Sequence, residues 1–370
     1  MRLNYLTRMK KYWPALLLIA SLLTIVYSCG SDDPTEEYTP LPQSPVVMDL
    51  ASVPYATLAD YNFFDGDIKN LQPVYGVLPY DLNSELFTDY AKKKRFVWMP
   101  AGQTATYTTD GQVPDFPVGT VLIKNFYYDN SLPQNHTVII ETRLMIRKAD
   151  GWIFANYVWN EAQTEATLNT SGSTMRVKWL ENGTEKTTNY KIPSGNQCKE
   201  CHAQNNIPLP IGVKPQNINK MYGYTTGSQN QLVKWKSMGY LNTYPSNILT
   251  TVNWKDTSQP LDLRARSYVD INCAHCHTNG ADCGHTPMDF AFSASHLPQN
   301  MGICQTPVDF VTGTEQYITD GQDPSNSLMY FRMSNNIQSE MMPALGRTMV
   351  HQEGLQLIED WINSLDNQCP

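Results

Sequence analysis

VIIETRLMIRKADGWIFANYVW, residues 138–159, is the stretch that decides how the middle of this 370-residue chain folds. Val138, Ile140, Leu144 and Ile146 alternate with Glu141, Arg143 and Arg147, the period of a half-buried strand. Asp150-Gly151 breaks the pattern with turn residues and Trp152 to Trp159 resumes it with aromatic side chains, so the two runs predict a β-hairpin. Working outward, Val121–Tyr128 and Met175–Leu180 read as further strands, punctuated by Asp110-Gly111, Val118-Gly119 and Asn182-Gly183. This spacing predicts an antiparallel β-sandwich-like domain over residues 47–192, long enough to bury its own core. Within it, Lys92-Lys93-Lys94-Arg95 reads as a solvated strand edge guarded by lysines, with a docking patch for an acidic partner as the alternative.

After residue 195 the periodicity changes. Ala265, Tyr268, Val269, Cys273 and Cys276 fall at helical spacing behind Asp262, a candidate cap. Asp323-Pro324-Ser325-Asn326 opens a short helix toward Met333, and Val350, Leu357, Ile358, Trp361 and Leu365 mark an apolar stripe on a last helix. Cys198–His202 and Cys273–His277 each spell C-x-x-C-H, a haem-attachment signature, so the expected fold class is multidomain β + α: the β-sandwich-like domain, then mainly α-helical haem domains of the cytochrome c type. The segments are a first haem-binding region at 193–258 and a C-terminal cytochrome c domain at 259–370.

Haem enters the reading through two C-x-x-C-H signatures, Cys198-Lys199-Glu200-Cys201-His202 and Cys273-Ala274-His275-Cys276-His277. Two cysteines three apart share one side of a helical turn, so both thiols can add to the two vinyl groups of one porphyrin. The next histidine then comes under the ring, where a neutral imidazole binds iron. A zinc knuckle or a redox C-x-x-C pair is the bland alternative, but neither requires a histidine after both pairs. The cofactor prediction is two covalently bound haem c groups with iron on His202 and His277. Met342, beside Pro343, is the expected sixth ligand of the second haem, ahead of Met341, because a thioether sulfur is a soft ligand and proline stiffens its loop. For the first haem Met221, Met238 and His136 are candidates and an open position is equally tenable.

The N-terminus carries Arg2, Arg8, Lys10 and Lys11, then an apolar run from about Pro14 to Val26 that ends at Ser28-Cys29. These are the marks of a signal peptide over 1–28, here of the lipoprotein type with Cys29 as the lipid attachment site. Residues 29–46, acidic and proline-rich, read as a flexible tether. The chain is thus expected to be exported and lipid-anchored to a membrane, facing the periplasm or cell surface of a Gram-negative bacterium. Without residues 1–28 it holds 23 Lys+Arg against 35 Asp+Glu, net −12, which excludes a nucleic-acid partner. Cys283 and Cys304 flank a loop in an oxidising compartment, and a disulfide between them is the expectation. His275 is expected to face solvent, and His285, His296 and His351 to be surface or capping residues.

PYDLNSELFTDYAKKKRF (79–96), FPVGTVLIKNFYY (116–128), ETRLMIRKADGW (141–152), YVWNEAQTEA (157–166), NQCKECH (196–202), RARSYVDINCAHCH (264–277) and MMPALGR (341–347) carry a resemblance. In these segments the chain resembles an exported dihaem c-type cytochrome family with a β-rich N-terminal half, long carried as conserved hypothetical proteins. The resemblance, from about Tyr61 to Leu365, implies covalent haems on Cys198, Cys201, His202, Cys273, Cys276 and His277 and no particular substrate. The leading functional expectation is electron transfer between redox partner proteins, an exported dehydrogenase or oxidase or a respiratory-chain component. A haem enzyme with an open N-terminal haem, peroxidase-like for example, and a redox-sensing binding module are the alternatives.

Overall fold

Eight strands form one antiparallel sheet: β1 (Leu78–Tyr80), β2 (Lys92–Trp98), β3 (Val121–Ser131), β4 (His136–Lys148), β5 (Gly151–Trp159), β6 (Ala166–Leu168), β7 (Ser173–Glu181) and β8 (Thr184–Ile192). The molecule is seen in a computed structural model that describes residues 42–370 apart from 312, 314 and 367. Strands β1 to β6 lie side by side in chain order, and the β7–β8 hairpin joins β3 where Ser131 pairs Trp179. The hairpin at 138–159 is β4–β5, in register from Glu141↔Val158 to Lys148↔Gly151.

The sandwich expectation is corrected, because one sheet replaces two facing ones. One sheet face packs Phe96, Val121, Ile123, Leu144, Ile146 and Tyr157 against an aperiodic segment bearing Leu58, Tyr61, Phe63 and Phe64. Its interior is pinned by the Tyr61 and Tyr157 hydroxyls, 2.9 Å apart. The other face packs Val97, Leu122, Met145 and Trp152 against Val213, Ile218, Leu232, Trp235 and Leu241 from downstream chain. Alternation reports that a strand has buried faces, not what covers them. The last residues of the expected tether also dock here: the Trp98 indole N–H donates to Ser44 Oγ at 2.9 Å, and Val46 packs on the first core.

Beyond the sheet come α1 (Gly195–Cys201), the small strands β9 (Ala203–Gln204) and β10 (Ile207–Pro208), α2 (Pro215–Ile218), β11 (Met221–Tyr224) and β12 (Gly227–Asn230). The remaining helices are α3 (Gln231–Ser237), α4 (Leu261–Asn272), α5 (Leu328–Ser334) and α6 (Gln352–Asn363). Strand therefore outweighs helix, and the expectation of mainly α-helical haem domains is overturned. The helices α4, α5 and α6 cover less than a third of residues 259–370; the rest is turns and loops. Helices α4 and α6 pack together over a core of Ala265, Tyr268, Val269, Leu357, Ile358, Trp361 and Ile362. Asp262 lies in the first turn of α4 and Pro260 takes the cap position. Residues 43–370 cluster as one compact unit, so the sheet and both motif regions share one body. Among the described residues no helix is long and apolar enough to cross a membrane. Cys29 and the signal segment lie outside the described residues.

Candidate functional site

The second motif starts where α4 stops. Cys273 is the C-cap residue, its N–H donating to Val269 O at 2.8 Å, and His277 N donates back to Cys273 O at 3.0 Å, so the motif is a tight turn rather than continued helix. The end of α4 is fixed by Asp270, whose carboxylate accepts from Lys214 Nζ (3.4 Å), Gln216 Nε2 (3.2 Å), Asn217 Nδ2 (3.4 Å) and Phe292 N (3.0 Å). A buried carboxylate this well supplied with donors ties the motif to two other parts of the chain.

The ring of His277 is oriented by a hydrogen-bond chain. Thr286 gives its hydroxyl proton to the Cys283 carbonyl at 2.6 Å, so its oxygen accepts from His277 Nδ1 at 3.2 Å. That places the proton on Nδ1 and leaves Nε2 as a lone-pair donor. Burial lowers the His277 pKa to about 4, so the ring is neutral at ordinary pH.

Cys273, Cys276, His277 and Met342 line the same cavity, with largely apolar walls that include Met329 and Met333. Met341 lines a different, polar groove beside Thr174 and Lys191, so the structure separates the two methionines. The Met342 loop is clamped by Arg347, a buried side chain that sequence reading assigned no role. Its guanidinium donates to the carbonyls of Met342 (2.8 and 3.1 Å), Arg332 (3.1 Å), Asn335 (2.9 Å) and Met349 (3.1 Å). Next along, Asp89 accepts from Thr348 N at 2.7 Å and Met349 N at 2.9 Å, anchoring the same loop to the β-rich half.

His351 also lines this cavity and is not at the surface. Its ring stacks on Phe87 at 4.1 Å and Nδ1 lies 2.9 Å from the Tyr268 hydroxyl, while burial lowers its pKa to about 4. It is the residue before α6, so the capping position was read correctly but the aromatic cage was not.

The first motif rides on α1, seven residues opened by a capping box in which Ser194 Oγ accepts from Gln197 N and the Gln197 side chain returns to Ser194 N. His202 closes the helix. Its Nδ1 lies 3.0 Å from the Leu209 carbonyl, which can only accept, so the proton again sits on Nδ1 and Nε2 is free. Burial, reinforced by nearby Lys124, lowers its pKa to about 3. Its ring meets Phe154 of β5 edge-on at 5.5 Å. Of the sixth-ligand candidates, Met221 and His136 are exposed, and Met238 packs in the cluster around Trp235, which also takes in Phe154.

The two motifs, 75 residues apart in sequence, meet in space. The ligand atoms of Cys201, His275 and Cys276 all lie within 4.8 Å of one another. Hydrogen bonding from Cys276, with His275 beside it, pulls the Cys201 thiol down to about 5, while the same bond and burial push Cys276 up. His275 is therefore half-buried between the motifs, not turned to solvent as expected, and its Nδ1 has no hydrogen-bond partner.

The disulfide expectation is corrected as well. Cys304 bonds Cys369, across a Cα–Cα distance of 5.3 Å, and Cys283 is a free thiol beside the cavity. The C-terminus returns to Cys304 because Cys369 N donates to Asp320 and Gln322 N to the Ile362 carbonyl, long-range bonds that sequence spacing cannot display. No protein-family model, curated protein or solved structure matches this chain.

Proposed function

We propose that this protein is an exported dihaem c-type cytochrome that passes electrons between redox partner proteins. The observation that carries the reading is the convergence of both C-x-x-C-H motifs, with Cys201 and Cys276 in one cluster and each motif histidine presenting a free Nε2. The donor set fits haem: neutral imidazoles held by their Nδ1 protons, four thiols at the spacing of two vinyl edges, and the Met342 sulfur in the His277 cavity. Bound haem would supply one-electron chemistry at iron. The chain's own residues hold His202 and His277 in the ligating tautomer, keep water from the His277 side with apolar walls, and fix Met342 through Arg347. Cys201 and Cys276, adjacent in space, would hold the two haems near each other, which suits a relay.

The lipoprotein anchor at Cys29 and an export address belong to the same proposal, as does the resemblance to the exported dihaem cytochromes. A metal-binding reading draws on the Cys201–His275–Cys276 cluster, yet a four-cysteine zinc knuckle needs Cys198 and Cys273 there too. Among the described residues the cluster holds neither. The haem-enzyme alternative draws on His202, for which two of the named candidate ligands, Met221 and His136, are exposed. The test is the optical spectrum of protein matured in an export compartment, oxidised and reduced, with and without carbon monoxide. Two haems per chain and no carbon monoxide binding are expected of the carrier; one haem binding carbon monoxide would shift the assignment to an enzyme.

A further inference from the structure

Strand β2 pairs β3 from Lys92 to Trp98, whereas β1 pairs only Arg95 to Val97, so Lys92–Lys94 keep one edge open, and Lys92 and Lys94 are exposed. Lys93 and Arg95 turn inward, where the Arg95 side chain is 3% exposed. Arg95 pairs Lys124 across the ladder, Lys124 pairs Arg143, and Arg143 pairs Asn156, so three cations stand directly opposite one another on adjacent strands. Like charges in that position repel, and burial enlarges the cost.

The compensation inside the protein is incomplete. Asp81 pairs Arg95 at 3.0 Å but is shared with Lys220 at 3.2 Å, and Glu141 pairs Arg143 while also accepting from Tyr190. Lys93 gives a proton to the Leu86 carbonyl. Five basic side chains, counting Lys124 and Lys220, thus meet two carboxylates, and burial pulls the pKa of Lys93 down to about 7 and that of Lys124 well below its ordinary value. Lys124 makes no hydrogen bond or ion pair among the described residues and rests 4.8 Å from the Phe126 ring. Arg95 Nη2 and Arg143 Nε are buried without partners. The first motif covers this face: His202 packs on Phe154, two residues from Asn156 on β5, and Asn156 Nδ2 donates to Pro193 O at 3.4 Å.

We propose that Arg95, Lys124 and Arg143, with Lys93 beside them, bind the two propionate carboxylates of the haem carried by Cys198, Cys201 and His202. The assignment rests on the haem reading and adds an anionic partner that matches the uncompensated charge. The sheet then has a role beyond support, because it would set the potential of the first haem. A nearby cation disfavours the more positive ferric state, so removing one lowers that potential.

The experiment compares export-matured protein with Lys124→Met, Lys93→Met and the charge-restoring Lys124→Arg, reading haem content per chain and both potentials by redox titration. The expected result is two haems throughout and, in each Met variant, a tenfold or larger rise in the ferric-to-ferrous ratio of one haem at fixed potential, 59 mV for one electron. Lys124→Arg restores the wild-type value. Selective loss of the first haem in Lys124→Met, recovered in Lys124→Arg, supports the proposal equally. Both potentials unchanged with both haems present would overturn it and leave the haem reading intact. A saturable rise in melting temperature with inorganic phosphate, lost in Lys124→Met, would also overturn it in favour of a free-anion site. Absence of covalent haem from the wild type would end both.

Discussion

His277 and His202 follow the same C-x-x-C spacing and are held in the same tautomer, yet they look out on different surroundings. His277 opens on an apolar cavity that contains Met342, with Arg347 gripping the backbone of the methionine loop. His202 lies over a sheet face crowded with cations, against Phe154 and near Lys124. In the haem reading proposed above, the local motif would specify attachment and the proximal nitrogen. Everything that would tune the iron, its far ligand and the charges around it, comes from distant chain. On that reading the difference predicts two haems of unequal potential, the second raised by the Met342 sulfur.

The sharpest way to break this comparison is to remove one motif at a time. Cys273→Ala/Cys276→Ala and Cys198→Ala/Cys201→Ala should each halve the covalent haem per chain, measured as the alkaline pyridine complex. Only the protein keeping the second motif should retain the sulfur-to-iron charge-transfer band. Identical spectra from the two variants would erase the distinction drawn here.

Arg347→Met should come next in size. It leaves four half-buried carbonyl groups without their donor, an expected loss of about 1–3 kcal/mol by denaturant titration, together with the charge-transfer band. A milder pair sharpens the same point: Met342→Leu should lower one potential and abolish that band, whereas Met341→Leu should change neither. Removal of the Cys304–Cys369 disulfide, which closes a long segment around the second site, should cost about 2–4 kcal/mol, read as a lower melting temperature.

The smallest effect concerns acid. The folded-state pKa of His351 lies at about 4, below the unfolded value near 6.5, so the unfolded chain takes up the proton more readily. Its contribution is complete above pH 6.5 and is lost as pH falls toward 4. His351→Phe, which keeps the stack on Phe87, should reduce the acid sensitivity of thermal unfolding over that window by about 2 kcal/mol. An unchanged pH slope would contradict the buried, neutral ring.

What was legible in the sequence was local. The C-x-x-C-H signatures could be read because they are fixed short-range spacings, and β4–β5 because alternation and Asp150-Gly151 are short-range signals. The single large sheet could not be read, since its covering layers combine an aperiodic segment around Tyr61 with one seven-residue helix bearing Trp235. Lys92–Lys94 do stand at an open edge, because β1 is only Leu78-Pro79-Tyr80 and ends opposite Arg95, but the inward turn of Lys93 and Arg95 was not legible. Asp89 and the Cys304–Cys369 pair act through partners far along the chain, and Arg347 acts through nearby carbonyls that no periodicity marks. The alternating burial of the lysine run was the one available clue to the cation row, since Lys93 and Arg95 share a parity with nothing polar in sequence to meet them.

The most direct test of the central claim is the intact mass of denatured, export-matured protein together with thiol titration of its peptides. The account predicts a chain heavier by two haem groups, with Cys198, Cys201, Cys273 and Cys276 blocked as thioethers and Cys283 free. A mass equal to the bare polypeptide, with those four cysteines reacting as thiols, would contradict it.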